Sequence, residues 1–175
     1  MRRAAATAAW GPALALSVAA AAAAQEPAGA AGAPDLPSEL TEAIDPIVEA
    51  ARERALPVDP LVAKAREGSA KGIPADRIRT AVEALASRLE RARTVLGAAR
   101  PETAPRPAEI AAGASALGRG VPEDALGQLG ARVSGDRPVA LAMHTLADLV
   151  ERGIPVDGAL DVLEAWSVRR GEPVE

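Results

Sequence analysis

His144 is the residue of this 175-residue chain best suited to chemistry, because the chain has no other histidine and no cysteine. Asp148 follows one helical turn later, so the imidazole and the carboxylate could pair as a proton-transfer dyad or as half of a metal site. A metal site needs three or four ligands, and no second histidine or tight carboxylate cluster accompanies the pair. We therefore interpret His144 as a helix-surface residue and predict no metal and no cofactor.

The sequence also lacks the common catalytic motifs. It contains no Ser-x-x-Lys, Gly-x-Ser-x-Gly or His-Glu-x-x-His, and no glycine-rich loop of the type that binds phosphate. We expect no catalytic residues, and we predict that the chain is not an enzyme.

A cluster of arginines between residues 74 and 100 could bind an anionic polymer or a membrane surface. It consists of Arg77, Arg79, Arg88, Arg91, Arg93 and Arg100. Glutamates interrupt the cluster and no aromatic residue is interleaved with it, which is typical of the solvated face of an amphipathic helix. We keep Arg88 and Arg91, together with Trp166, as candidate contacts for a protein partner.

One short phrase occurs four times and has an architectural meaning. It reads basic, small, aliphatic, proline, any residue, aspartate, and its copies are residues 54–59, 71–76, 119–124 and 152–157. A glycine at the second position can adopt the left-handed conformation that ends a helix. The proline then supplies the fixed φ of the first residue of the next helix, and the aspartate meets its exposed N–H groups as the third helical residue.

The phrase predicts corners between helices. The corner residues are Gly72, Pro74, Asp76, Gly120, Pro122, Asp124, Gly153, Pro155 and Asp157. The first copy has Ala55 in place of glycine, so we expect that corner to lack the left-handed cap. The aspartates could be imagined as calcium ligands, but calcium loops concentrate several oxygen ligands within about a dozen residues. Because each aspartate here stands alone, we interpret all of them as helix-start residues.

Apolar positions around the last three copies also align. Twelve residues before the proline, the three copies have Val62, Ile110 and Met143. Four residues after it they have Ile78, Leu126 and Ala159, and eleven residues after it they have Leu85, Val133 and Trp166. We predict that these positions lie in the core, with stacking on a ligand as the alternative role of Trp166. Successive prolines of the phrase are 17, 48 and 33 residues apart, which argues against a solenoid with one fixed period.

The apolar periodicity predicts an all-α protein of about seven helices, arranged as hairpins in an irregular helical-repeat bundle. The predicted helices span about residues 38–54, 58–70, 74–96, 108–117, 122–133, 139–152 and 155–169. Residues 38–97 form an N-terminal half and residues 108–170 a C-terminal half, with a proline-rich linker at 98–107 and a tail at 171–175. Gly113, Gly127 and Gly130 lie within helices, where each costs about 1 kcal/mol relative to alanine.

Residues 1–24 have the pattern of a secretory signal peptide. Arg2 and Arg3 precede a charge-free apolar run that begins near Trp10, and Ala22 to Ala24 are small residues suited to cleavage. A retained membrane anchor and a buried helix are the alternatives, but the run falls short of the ~20 strongly apolar residues that a spanning helix needs. We predict cleavage near Ala24, a periplasmic or secreted location, no stable membrane span afterwards, and a disordered tether at residues 25–37.

The charge and composition of the mature chain restrict the classes of partner that we expect. Removal of Arg2 and Arg3 leaves 18 basic and 24 acidic residues, a net charge of −6. This charge argues against a nucleic-acid partner, because phosphate binding needs a concentrated positive face. The chain has no Phe and no Tyr, so Leu, Val, Ile and Ala must form a thin core with the helices close together.

These observations predict an exported helical interaction or scaffolding module that binds an unknown protein partner or associates with itself. The alternative is a binder of a small apolar ligand or lipid in a groove between alanine-rich helices. A basic groove would favour an anionic partner, a closed apolar cavity would favour the ligand, and an exposed Leu/Val stripe would favour the protein partner.

Overall fold

The computed structural model describes residues 36–133 and 139–169, which form seven α-helices and no strand. The helices are α1 (Ser38–Glu53), α2 (Asp59–Ala70), α3 (Ala75–Ala99), α4 (Pro107–Gly118), α5 (Glu123–Arg132), α6 (Val139–Glu151) and α7 (Val156–Arg169). The predicted all-α class and order of helices are confirmed, and the largest boundary error is the three residues by which α3 extends beyond its predicted end. The predicted signal peptide, the tether up to residue 35 and the tail lie outside the described residues.

The described helices belong to one compact unit in which successive hairpins stack side by side. α1, α3, α5 and α7 contact one another in that order, and α4 contacts α6. α3, which has 25 residues, also contacts α2 and α4. The helices on the two sides of the proline-rich segment therefore pack directly on each other through α3.

The chain leaves α1, α2, α4 and α6 by the same hydrogen-bonded turn. At the end of α2, Ile73 N–H donates to the Gly68 carbonyl and Gly72 N–H donates to the Ser69 carbonyl, both at 3.0 Å. These two bonds satisfy carbonyls that the helix end leaves free. Gly72 has φ 65°, and the equivalent Gly120 and Gly153 have φ 91° and 83°. The three glycines thus adopt the left-handed conformation that the sequence predicts.

The expectation for the first corner is wrong, because Ala55 is also left-handed, with φ 53°. Leu56 N–H donates to the Ala51 carbonyl and Ala55 N–H to the Arg52 carbonyl, both at 2.9 Å. Leu56 is also buried, which fixes the chain where it leaves the helix. These contacts offset the roughly 1–2 kcal/mol that a left-handed residue with a Cβ costs.

The prolines of the corners lie one position earlier than predicted. Pro74 has ψ 142° and Pro122 has ψ 152°, so both are extended residues that precede their helices. The Pro74 carbonyl accepts the Ile78 N–H at 3.1 Å, which is the backbone role of an N-cap residue. Asp76 is consequently the second residue of α3, where its carboxylate still lies in the first turn.

The core is built from aliphatic side chains and from close approaches between helices. A Cβ placed on Gly113 would lie 3.1 Å from the Ala92 Cβ, and one placed on Gly68 would lie 2.7 Å from Ile78 Cγ1. These glycines let α4 and α2 approach α3, so their cost in helix propensity is offset by packing. A Cβ on Gly127 would make only an ordinary contact, at 3.4 Å from Val95 Cγ1.

Most of the aligned positions predicted to be internal are buried. The buried ones are Ile78, Ile110, Leu126, Val133, Met143 and Ala159. Val62 and Leu85 are half-buried and pack against this core. The side chain of Trp166 lies outside the described part of the chain, so both roles considered for it stay predictions.

Candidate functional site

An open groove of about 360 Å³ runs between α1 and α3 and is the best candidate for a binding site. Its floor is apolar and consists of Pro46, Ile47, Ala50, Leu56 and Ala86. Small and medium side chains leave room between the two helices for an apolar group of a ligand or partner.

The local sequence explains why this floor is only partly covered. Leu40, Ile44 and Val48 form the buried stripe of α1, and Ile47 and Ala50 lie beside that stripe without being fully buried. The left-handed corner after α1 then folds Leu56 back under the end of the helix. The groove is therefore a margin of the core that residues 36–133 and 139–169 leave uncovered between α1 and α3.

Charged residues line the edges of the groove. The Arg54 guanidinium crosses from the end of α1 to the Glu90 carboxylate on α3, at 3.0 Å, and Arg79 pairs with Glu83 at 2.6 Å. Arg93 donates to the Arg54 carbonyl, which ties α3 to the corner. These pairs are exposed, and pairs of this kind contribute little stability, typically about 0–1 kcal/mol each. They can consequently rearrange when a partner binds.

The lining of the groove is suited to binding an apolar group. The groove combines aliphatic side chains with Arg, Glu and Ser, and it contains no histidine. Within residues 36–133 and 139–169, no group of three or more His, Asp or Glu side chains is close enough to hold a metal ion.

The candidate contacts Arg88 and Arg91 do not line the groove. Arg91 pairs with Glu123 of α5 at 3.2 Å. The Arg88 side chain lies over the end of α4, where its Nε is 3.3 Å from the position of a Cβ on Gly118 and is buried without a hydrogen-bond partner. Both arginines therefore join α3 to the following hairpin.

His144 is exposed on α6 and Asp148 serves a different partner. The Asp148 carboxylate accepts a hydrogen bond from Arg119, at the end of α4, and Glu151 accepts from the same guanidinium. The bond to Glu151, and after it the bond to Asp148, raises the pKa of Arg119 above its usual value. Asp148 therefore joins a contact between hairpins.

Three of the four basic residues of the corner phrase pair with carboxylates. Arg54 pairs with Glu90 and Arg119 with Glu151 and Asp148, in each case on another helix. Lys71, the residue that follows α2, pairs with Glu67 near the end of the same helix. The phrase therefore also supplies cations to contacts within and between hairpins.

The buried Glu109 is the structural feature that sequence reasoning missed. It is 2% exposed, and its carboxylate accepts hydrogen bonds from Arg100 Nη2 at 2.7 Å and from Arg106 N, Nε and Nη2 at 3.1, 3.1 and 2.9 Å. Burial alone raises the pKa of Glu109, but the bonds from Arg100 and Arg106 outweigh burial and the pKa lies below its usual 4.5. The signal in the sequence is a glutamate at the third position of a helix, the spacing of a capping box.

No protein-family model matches this chain, and no curated protein and no solved structure is significantly similar to it. None of the described helices is both long enough and apolar enough to cross a membrane.

Proposed function

We propose that this protein is an exported helical interaction module that binds a protein partner in the groove between α1 and α3. The observation that carries the proposal is the open groove with its apolar floor of Ile47, Ala50 and Ala86. An open groove admits a segment of another protein along its length, whereas a small ligand is held best in an enclosed cavity. Arg88, which lies over α4, and Arg91, which pairs with Glu123, do not line the groove, so they do not make it basic.

A second candidate is the binding of a small apolar ligand or lipid at the same place. The apolar floor and the volume of about 360 Å³ favour it, since this volume lies within the usual range of ligand sites. The two candidates differ in the size of the bound molecule, which can be measured directly.

Site-specific photocrosslinking in the producing cells tests both candidates. A photoreactive residue at Ser87, which is exposed and lines the groove, should yield an adduct of protein size. The matched control is the same residue at Ala84, which is exposed on α3 but does not line the groove. An adduct of a few hundred daltons would favour the apolar ligand, and equal labelling at both positions would contradict a site in this groove.

A further inference from the structure

We infer that the partner segment in this groove is a basic amphipathic helix, an inference that rests on the proposed protein-binding function. The groove combines an apolar floor with two glutamates, Glu83 and Glu90, at its α3 edge, and exposed glutamates lie beside it on the outer face of α1. A helix with one apolar face flanked by Lys and Arg side chains is complementary to that arrangement.

The border on α1 follows from helical spacing. Glu42, Pro46, Glu49 and Glu53 are separated by four, three and four residues, so they lie along one side of α1. Pro46 lines the groove, and the three glutamates on its side of the helix are exposed. None of the three lines the groove itself, and Glu49 pairs with Arg52, so this row of carboxylates lies on the outer face of α1 beside the groove.

The border on α3 is shorter and has the same sign. Glu83, Ser87 and Glu90 are separated by four and three residues and all three line the groove. Both glutamates already have cationic partners: Glu83 pairs with Arg79, and Glu90 pairs with Arg54, which also lines the groove. Because this pair is exposed on both sides, a cation of the partner can replace Arg54 at Glu90 at little cost.

The charge of α1 as a whole supports the same partner. The helix carries five acidic residues, Glu39, Glu42, Asp45, Glu49 and Glu53, against the single basic residue Arg52. Opposite charges steer the approach of a partner and fix its orientation, while the apolar floor supplies the area that is buried.

Calorimetric titration of the full chain with two designed peptides tests the inference. Both peptides are 18-residue amphipathic helices with the same leucine face; one carries lysines on its flanks and the other carries glutamates in their place. We expect the lysine peptide to bind at least about tenfold more tightly, because like charges at the borders oppose the glutamate peptide.

Two pairs of variants locate the effect. Glu42→Gln with Glu53→Gln should weaken the lysine peptide roughly fivefold, the effect of two exposed ion pairs. Glu102→Gln with Asp161→Asn makes the same change of net charge at exposed positions outside the groove and should leave the affinity within about twofold. Ser87→Arg should abolish binding, whereas Ala84→Arg should preserve it.

The possible outcomes distinguish a wrong class of partner from a wrong location of the binding site. Equal affinity for both peptides, lost in Ser87→Arg, would overturn the basic partner and leave the protein-binding groove intact. Equal weakening by the two double variants would reduce the effect to net charge and would also overturn the inference. Binding of the lysine peptide that survives Ser87→Arg would overturn the groove as the site, and with it both proposals. Failure of the lysine peptide to bind would overturn the basic partner, while the photocrosslinking at Ser87 tests the groove independently.

Discussion

Replacement of Glu109 by glutamine removes the charge of the buried carboxylate and keeps its size. In the variant, Arg100, whose side chain is 14% exposed, loses its anionic partner. Arg106 loses the same partner, but its side chain is 66% exposed and is hydrated by solvent. Breaking a buried ion pair by removing one partner costs about 3–5 kcal/mol, because the remaining charge is uncompensated. Glutamine keeps one acceptor oxygen and Arg106 is solvated, so we expect the free energy of unfolding to fall by about 2–3 kcal/mol.

Urea denaturation followed by circular dichroism measures this loss. With a slope of about 1–3 kcal/mol per molar urea, the midpoint should fall by about 1 M or more at unchanged slope, and Tm should fall by about 4–12 °C. Glu102→Gln is the matched control, because it makes the same substitution at an exposed position and should change stability by less than about 0.5 kcal/mol. If the two variants behave alike, Glu109 does not organise the junction between α3 and α4.

The pH dependence gives a second test of the same carboxylate. Because the folded-state pKa of Glu109 lies below 4.5, its contribution is fully present above about pH 4.5 and is lost as the pH falls through the folded-state value. The wild-type chain should therefore lose stability more steeply than Glu109→Gln on acidification, and the difference between them should narrow. A difference that stays constant from about pH 7 to about pH 3 would contradict the role of the ionised form.

Three further predictions concern the corners and one exposed carboxylate. Gly153→Val should lower the free energy of unfolding by about 1–3 kcal/mol, because φ 83° strains a β-branched residue even though the space around Gly153 is open. The control Gly127→Ala should be neutral or stabilising by up to about 1 kcal/mol. Thermal melts that show both variants neutral would contradict the left-handed corner. Ala55→Gly should stabilise the chain by about 0.5–1 kcal/mol by relieving φ 53°, and a lower Tm would show that no strain is stored there. The pKa of Glu67 should be about 2, chiefly because Lys71 donates to its carboxylate, and Lys71→Met should raise it towards 4.5 in a carboxyl NMR titration; an unchanged pKa would exclude this pair in solution.

The helices could be predicted because their signals are local. The stripe of Ile78, Val82, Leu89 and Leu96 is readable as one face of a helix, and all four are buried. Gly72 predicts its own left-handed turn, since the penalty on a Cβ is a property of one residue and its neighbours in the chain. The prediction for Ala55 was wrong because it used the preference of the residue alone. In the structure, hydrogen bonds at the turn and the burial of Leu56 override that preference.

The candidate site was less accessible from the sequence. The alternative of a groove between alanine-rich helices anticipated the kind of surface that α1 and α3 form, but it did not identify which helices form it. Arg88 and Arg91 were selected as exposed cations, yet Arg91 pairs with Glu123, 32 residues away in the chain. The capping-box spacing marks Glu109 as a helix-start residue, but nothing in the neighbouring sequence marks it as buried.

The sequence by itself determined the all-α class, the order of the helices and the left-handed glycines at three of the corners, since these depend on periodicity and on backbone preferences within a few residues. Only the tertiary structure decided which part of the core surface is accessible between α1 and α3. It also decided which charged side chains form ion pairs between hairpins. The physical reason is that burial and ion pairing are properties of surfaces in contact. The pairing of Arg91 with Glu123, the burial of Glu109 and the open floor beside Ile47 each depend on how one helix is placed against another.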